Sequence, residues 1–188
     1  MRSLPNMTVV SPADAYETYD ATLAISEKDG PFYMRMGRSD VPTIMPEDTG
    51  FRIGKASVLV DGKDVSLVGT GQMVHACLEA AKILRKEGIS AEVVNMSTIK
   101  PLDNVTLGKT ISRTGCIVTA EEHSIIGGLG SAVAEYISEE GFVPLTRIGT
   151  RDTFGESGTP EELFKKYGLT AEDVASAARK SMAKRRRS

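Results

Sequence analysis

Beyond residue 64 the chain repeats one rhythm: a short apolar run, a brief link, then a stretch of helical period. After "VSLVG" comes Met73 to Lys86, with Val74, Cys77, Leu78, Ala81 and Leu84 along one face and Gly88 to stop it. The strand "AEVVNMS" is followed by a helix over Asp103 to Ser112, and "GCIVTAE" by a helix over Ser131 to Glu140. "PLTRIG" reads as the last strand, and Thr159-Pro160-Glu161-Glu162 and Thr170-Ala171-Glu172-Asp173 are capping boxes that open two more helices. Links this short between alternating elements require parallel strands with right-handed crossovers and helices on both faces. The expected fold is α/β: a three-layer αβα sandwich whose mostly parallel sheet has about five strands, one of them antiparallel. The antiparallel one is expected in "ASVLVDGKDVSLVGTG", where Asp61-Gly62 between two β-branched runs is a hairpin signal.

Residues 1–50 do not share that rhythm. "MTVV" reads as a strand, and Ser11-Pro12-Ala13-Asp14 as a helix start with Ser11 at the N-cap and Pro12 in the first turn. The helix should run to about Glu27 and stop before Asp29-Gly30, ahead of a strand in "PFYMRMG". From Arg38 to Gly50 no period survives among the prolines and acids, which marks a linker. Strand, helix and strand are too little to enclose a core. The division expected is therefore 1–50, the carboxy-terminal end of a second α/β domain plus linker, and 51–188, one complete domain.

Bulk properties exclude more than they assign. The net charge of −2 gives no case for nucleic acid or membrane as partner, and no apolar run reaches the length of a membrane span. Residues 1–48 carry Arg2, Lys28, Arg35 and Arg38 against eight acids, a net of −4, whereas Arg179 onward is basic without an acid. The terminal "KRRRS" could form a nucleic-acid patch, but no aromatic residue is interleaved with it, so it reads as a frayed, solvated end. Cys77 and Cys116 each sit in an apolar run and read as buried thiols of a cytoplasmic protein.

One stretch looks built for chemistry. "EEHSIIGGLGSAVAE", Glu121 to Glu135, runs from a strand end through glycines into a helix, where free backbone N–H groups can hold an anion. Its G-G-x-G spacing is neither a dinucleotide fingerprint nor a P-loop, and the glycines equally suit a sharp turn and close packing. His123 is open to two readings, acid–base group or hydrogen-bonded interface residue. Gly69 and Gly71 mark an ordinary strand-to-helix turn, His75 falls on a polar stripe with Glu79 and Lys82, and no His/Cys spacing fits a metal. Arg38 follows Gly37 at the carboxyl end of a strand, a position suited to gripping phosphate or carboxylate, or to an ion pair. Strand alternation alone gives Arg35 no role.

"RSLPNMTVVSPADAYET", "FYMRMGRSDVP", "VGTGQMVHACLEAAKILRKEGI", "STIKPLD" and "TAEEHSIIGGLGSAVAE" together resemble the carboxy-terminal part of transketolase, in order and over nearly the whole chain. "RTGCIVTAEEHSIIGGLG" also resembles 1-deoxyxylulose-5-phosphate synthase and the β subunits of 2-oxoacid dehydrogenases; "GRSDVP" and "TIKPLD" favour transketolase. The resemblance implies an enzyme that moves a two-carbon ketol unit between sugar phosphates with thiamine diphosphate and a divalent metal, Mg or Ca. It implies that residues 1–50 end the pyrimidine-binding domain, and that the cofactor site lies in an amino-terminal part or partner subunit. The chain alone is then expected to bind no cofactor and to be inactive, contributing homodimer contacts and one substrate residue, Arg38, on the sugar phosphate. It also implies that the glycine-rich stretch serves packing and subunit contacts. The alternatives are the corresponding region of the synthase or dehydrogenase subunit, and a non-catalytic interaction module of the same fold.

Overall fold

A computed structural model describes residues 1–185. Its main sheet contains β3 (Ser57–Val60), β4 (Val65–Gly69), β5 (Ala91–Asn95), β7 (Ile117–Ser124) and β8 (Leu145–Thr150), in the order β3-β5-β4-β7-β8. All neighbours are parallel except β3, which runs antiparallel to β5. The helices α2 (Met73–Lys86), α3 (Asn104–Thr114), α4 (Leu129–Glu140), α5 (Pro160–Lys166) and α6 (Ala171–Arg185) complete the expected sandwich.

Cover on both faces explains why the central strands are mostly apolar, with Ser66 in β4 and Glu92 and Asn95 in β5 as buried exceptions. Val65 and Leu67 pack with Cys77, Leu84, Val174 and Ala178 of α2 and α6, while Val68 packs with Leu107, Leu129 and Val133 of α3 and α4. A strand covered on both faces has no side to leave polar. All five residues of β4 and of β5 are buried accordingly.

Two expectations about the strands need correction. β3 and β4 are not a hairpin, because β5 lies between them. The link crosses the start of β5: Lys63 and Asp64 N–H groups donate to the Ser90 carbonyl at 3.1 and 2.9 Å, and Ser90 N–H donates to Asp64 Oδ2 at 2.7 Å. A Cβ on Gly62 would collide with the Ala91–Glu92 backbone, so that glycine permits close approach and not a left-handed turn. The second correction adds β6 (Thr98–Lys100), which the sequence pattern had left outside any element.

β6 belongs to a second, smaller sheet. With β1 (Thr8–Val10) and β2 (Phe32–Met34) it forms the order β2-β1-β6, β1 pairing parallel to β2 and antiparallel to β6. The small sheet thus takes strands from both sides of residue 50. Between β1 and β2 runs α1 (Ala15–Ser26), capped by Asp14 and not Ser11: Asp14 Oδ1 accepts from Glu17 N–H at 3.0 Å. Ser11 is instead tied into the sandwich, its N–H donating to the Ser97 carbonyl at 2.7 Å and its carbonyl accepting from Gly71 N–H at 3.0 Å.

The basic tail is also ordered as far as it is described. Arg179 pairs with Glu87, and Arg185 donates to the carbonyls of Asp64 and Thr114 at the end of α6. The Arg185 contacts overturn the frayed-end reading of "KRRRS" at that residue; Arg186, Arg187 and Ser188 lie outside the described residues.

Candidate functional site

The strand order places a topological switch point between β4 and β7, since the chain passes from β4 to β5 on one side and returns to β7 on the other. Open α/β sheets bind ligands in the crevice beyond the carboxyl ends of such strands. Here the segment before residue 51 fills much of that crevice. Gly71 N–H and Thr70 Oγ1 both donate to the Ser11 carbonyl, the latter at 3.3 Å. Beside them Glu122, at the end of β7, accepts from Gln72 Nε2 and pairs with Arg35 at 3.5 Å. Arg35, to which strand alternation gave no role, therefore pins the small sheet to the large one.

The glycine-rich turn does hold a carboxyl group, and that group is part of the chain. Glu121 is almost wholly buried, its Oε2 accepting from Leu129 N–H and its Oε1 from Gly130 N–H, both at 2.8 Å. These are the unpaired donors of the first turn of α4, which favour negative charge. A Cβ on Gly128 would overlap the carboxylate. Burial pushes the Glu121 carboxyl above its usual range, and the Gly130 and Leu129 bonds offset only part of that cost. The signal was present in the sequence: an acid eight residues ahead of a G-x-G helix start can reach back to cap it.

Where that crevice opens to solvent it continues into a cleft of about 780 Å3 lined by Arg35, Arg38, Ser39, Asp40, Glu122, His123, Thr150 and residues of α5. Its volume falls in the ordinary range of small-molecule sites. The structure brings Arg38 and His123, far apart in sequence, to the same opening. Arg38 is exposed and has no hydrogen-bond or ion-pair partner among the described residues. His123 is half-exposed; its Nδ1 lies 2.8 Å from the Ser124 carbonyl and 3.8 Å from Glu121 Oε2. A carbonyl only accepts, so Nδ1 carries the proton and Nε2 is the nitrogen left for another partner.

The remaining candidates lie elsewhere. His75 stands on the solvent side of α2, 4.0 Å from Glu79. Cys77 and Cys116 are free and buried, and burial pushes the Cys77 thiol up to about 12, far from a reactive thiolate. Among the described residues no three His, Cys, Asp or Glu side chains converge to hold a metal ion. The described residues do not fit the metal–diphosphate centre of thiamine diphosphate. Among the described residues no helix is long and apolar enough to cross a membrane.

Sandwich and cleft together define a class: an α/β domain whose strand-end crevice is closed by a smaller sheet, with an exposed arginine in the loop that leaves it. The sequence model of the transketolase C-terminal domain matches residues 54–174, and the chain belongs to that family. A putative transketolase C-terminal section from Methanocaldococcus jannaschii is 46% identical over 98% of this chain and 58% of its own length. A 1-deoxy-D-xylulose-5-phosphate synthase from Syntrophotalea carbinolica is 39% identical over 97% of this chain and 29% of its own. Among solved structures, a split-gene transketolase described as an inactive β4 tetramer superposes with a TM-score of 0.95 at 51% identity, covering 97% of this chain and 60% of that one. The chain therefore spans a little over half of the transketolase relative it matches and less of the synthase.

Proposed function

We propose that the chain works as the carboxy-terminal portion of a transketolase, which transfers a two-carbon ketol unit between sugar phosphates. In this reading residues 1–50 complete a pyrimidine-binding domain, and thiamine diphosphate with its divalent metal is held by an amino-terminal part or subunit of the assembled, cytoplasmic enzyme. The chain's own share is subunit contacts and Arg38, which grips the sugar phosphate. The observation that carries the reading is a guanidinium unpaired among the described residues, in the loop four residues past the end of β2, facing a cleft whose other arginine is already neutralised by Glu122. A charge-assisted hydrogen bond from such a group contributes about 1.5–3 kcal/mol.

Membership of the family and the 46% identity to a transketolase section support it. So does a solved relative whose β subunits alone are described as inactive. In the assembled enzyme, Arg38→Ala should raise KM for phosphorylated sugars about tenfold or more, with little change for unphosphorylated donors. Equal losses on both would remove the phosphate role. The likeness to the synthase favours one second reading, in which the donor is pyruvate. Turnover of pyruvate with an aldose phosphate, and none with a ketose phosphate donor, would select it.

A further inference from the structure

We infer that the sugar's phosphate is gripped from two sides, by Arg38 of the small-sheet segment and by His123 of the sandwich. His123 is then a substrate-recognition residue of the C-terminal domain. The inference rests on the reading of Arg38 as the phosphate grip and adds a residue from the other region.

Three features of the cleft lead to it. First, three of its polar side chains are already engaged: Arg35 with Glu122, Glu122 also with Gln72, and Tyr167, whose hydroxyl donates to the Phe154 carbonyl at 3.3 Å. Second, the Nδ1 proton of His123 is fixed on the Ser124 carbonyl, which leaves Nε2 for a ligand on this half-exposed ring. Neutral, that nitrogen accepts from a hydroxyl or a protonated phosphate; charged, it donates to phosphate oxygen. Third, Arg38 is the guanidinium of the cleft that lacks a partner among the described residues, and it reaches the opening from the loop that follows β2. Asp40 lines the same wall two residues from Arg38, and its carboxylate suits the hydroxyls of a polyol chain rather than its phosphate. Arginine, imidazole and carboxylate around one opening match a sugar phosphate better than a bare anion.

The test is steady-state kinetics of the assembled enzyme with a phosphorylated ketose and its unphosphorylated counterpart, with inorganic phosphate as competitive inhibitor. His123→Gln and His123→Asn serve as paired variants beside Arg38→Ala. The ratio of the two KM values, and the inhibition constant for phosphate, should each rise about fivefold in the His123 variants, the size of one ordinary hydrogen bond. A merely structural role for His123 would shift both donors alike and leave the ratio where it was. If Arg38→Ala changes the ratio and neither His123 variant does, the inference is overturned while the Arg38 reading stands. If Arg38→Ala weakens both donors equally, that reading is lost and this inference with it.

Discussion

In the sandwich, Leu67, Met73, Leu84 and Val118 are wholly buried between layers of apolar side chains. The segment before residue 51 contributes to neither of the two apolar clusters. Polar groups carry much of its attachment. Glu17, 2% exposed, accepts from Ala13 N–H at 2.7 Å, from Asn95 Nδ2 at 2.9 Å and from Ser97 Oγ. Asp14 Oδ2 accepts from the N–H groups of Ile44 and Met45 at 2.8 and 2.7 Å, which folds the linker back over α1. Tyr19 and Leu23 on α1 face solvent, and Tyr16 lies beside them. One region therefore specifies its own interior, whereas the other is positioned by directional bonds to it. Directional bonds fix orientation, and orientation is what brings Arg38 to the cleft.

The sharpest way to break this contrast is to weaken each region separately. Leu67→Ala should cost about 3 kcal/mol, and because the segment before residue 51 is held by bonds to the sandwich, both regions should unfold together in a denaturant titration. Glu17→Leu should cost about 2 kcal/mol by stranding three buried donors. Its effect should be local: amide exchange should accelerate in α1 and β1 while β4 and β7 keep their protection. Equal acceleration in both regions would show that the segment and the sandwich form a single cooperative unit.

A smaller effect separates the regions by pH. Burial of Asp103 disfavours its charge, but bonds from Ala56 N–H, Thr106 N–H and Thr106 Oγ1, with Lys55 4.0 Å away, outweigh it and hold its pKa below the ordinary aspartate range. The folded state then binds fewer protons than the unfolded state. Asp103 contributes stability above the unfolded pKa, and that contribution is lost as pH falls through the folded one. Asp103→Ala should cost about 1 kcal/mol at neutral pH and flatten this part of the acid transition. An unchanged acid transition in the variant would remove the assignment. The smallest change is expected for Arg2→Ala. Arg2 forks onto Glu135, whose side chain is 61% exposed, so its loss should cost no more than ~0.5 kcal/mol in a thermal melt.

The two regions also differed in how far their sequence disclosed them. Met73 to Lys86 was readable to the residue because an amphipathic helix announces itself through apolar period and a terminal glycine. The capping boxes at Thr159 and Thr170 form as the local pattern required. Pairing partners were not readable: Asp61-Gly62 resembles a hairpin locally, and only the position of β5 decides otherwise. Glu17 meets Asn95 and Ser97 across 78 and 80 residues, and no local period encodes such a contact. The same holds for the cleft. Arg38 was picked out by its expected place at a strand end, but β2 stops at Met34 and Arg38 lies in the loop beyond, so its proximity to His123 depends on how the small sheet and that loop dock.

The most direct test of the account is a ketol-transfer assay on the purified chain, with and without the amino-terminal transketolase subunit, at saturating thiamine diphosphate and Mg2+. The account predicts no turnover by the chain alone, and activity only when the cofactor-binding portion is supplied. Turnover by the isolated chain would contradict it.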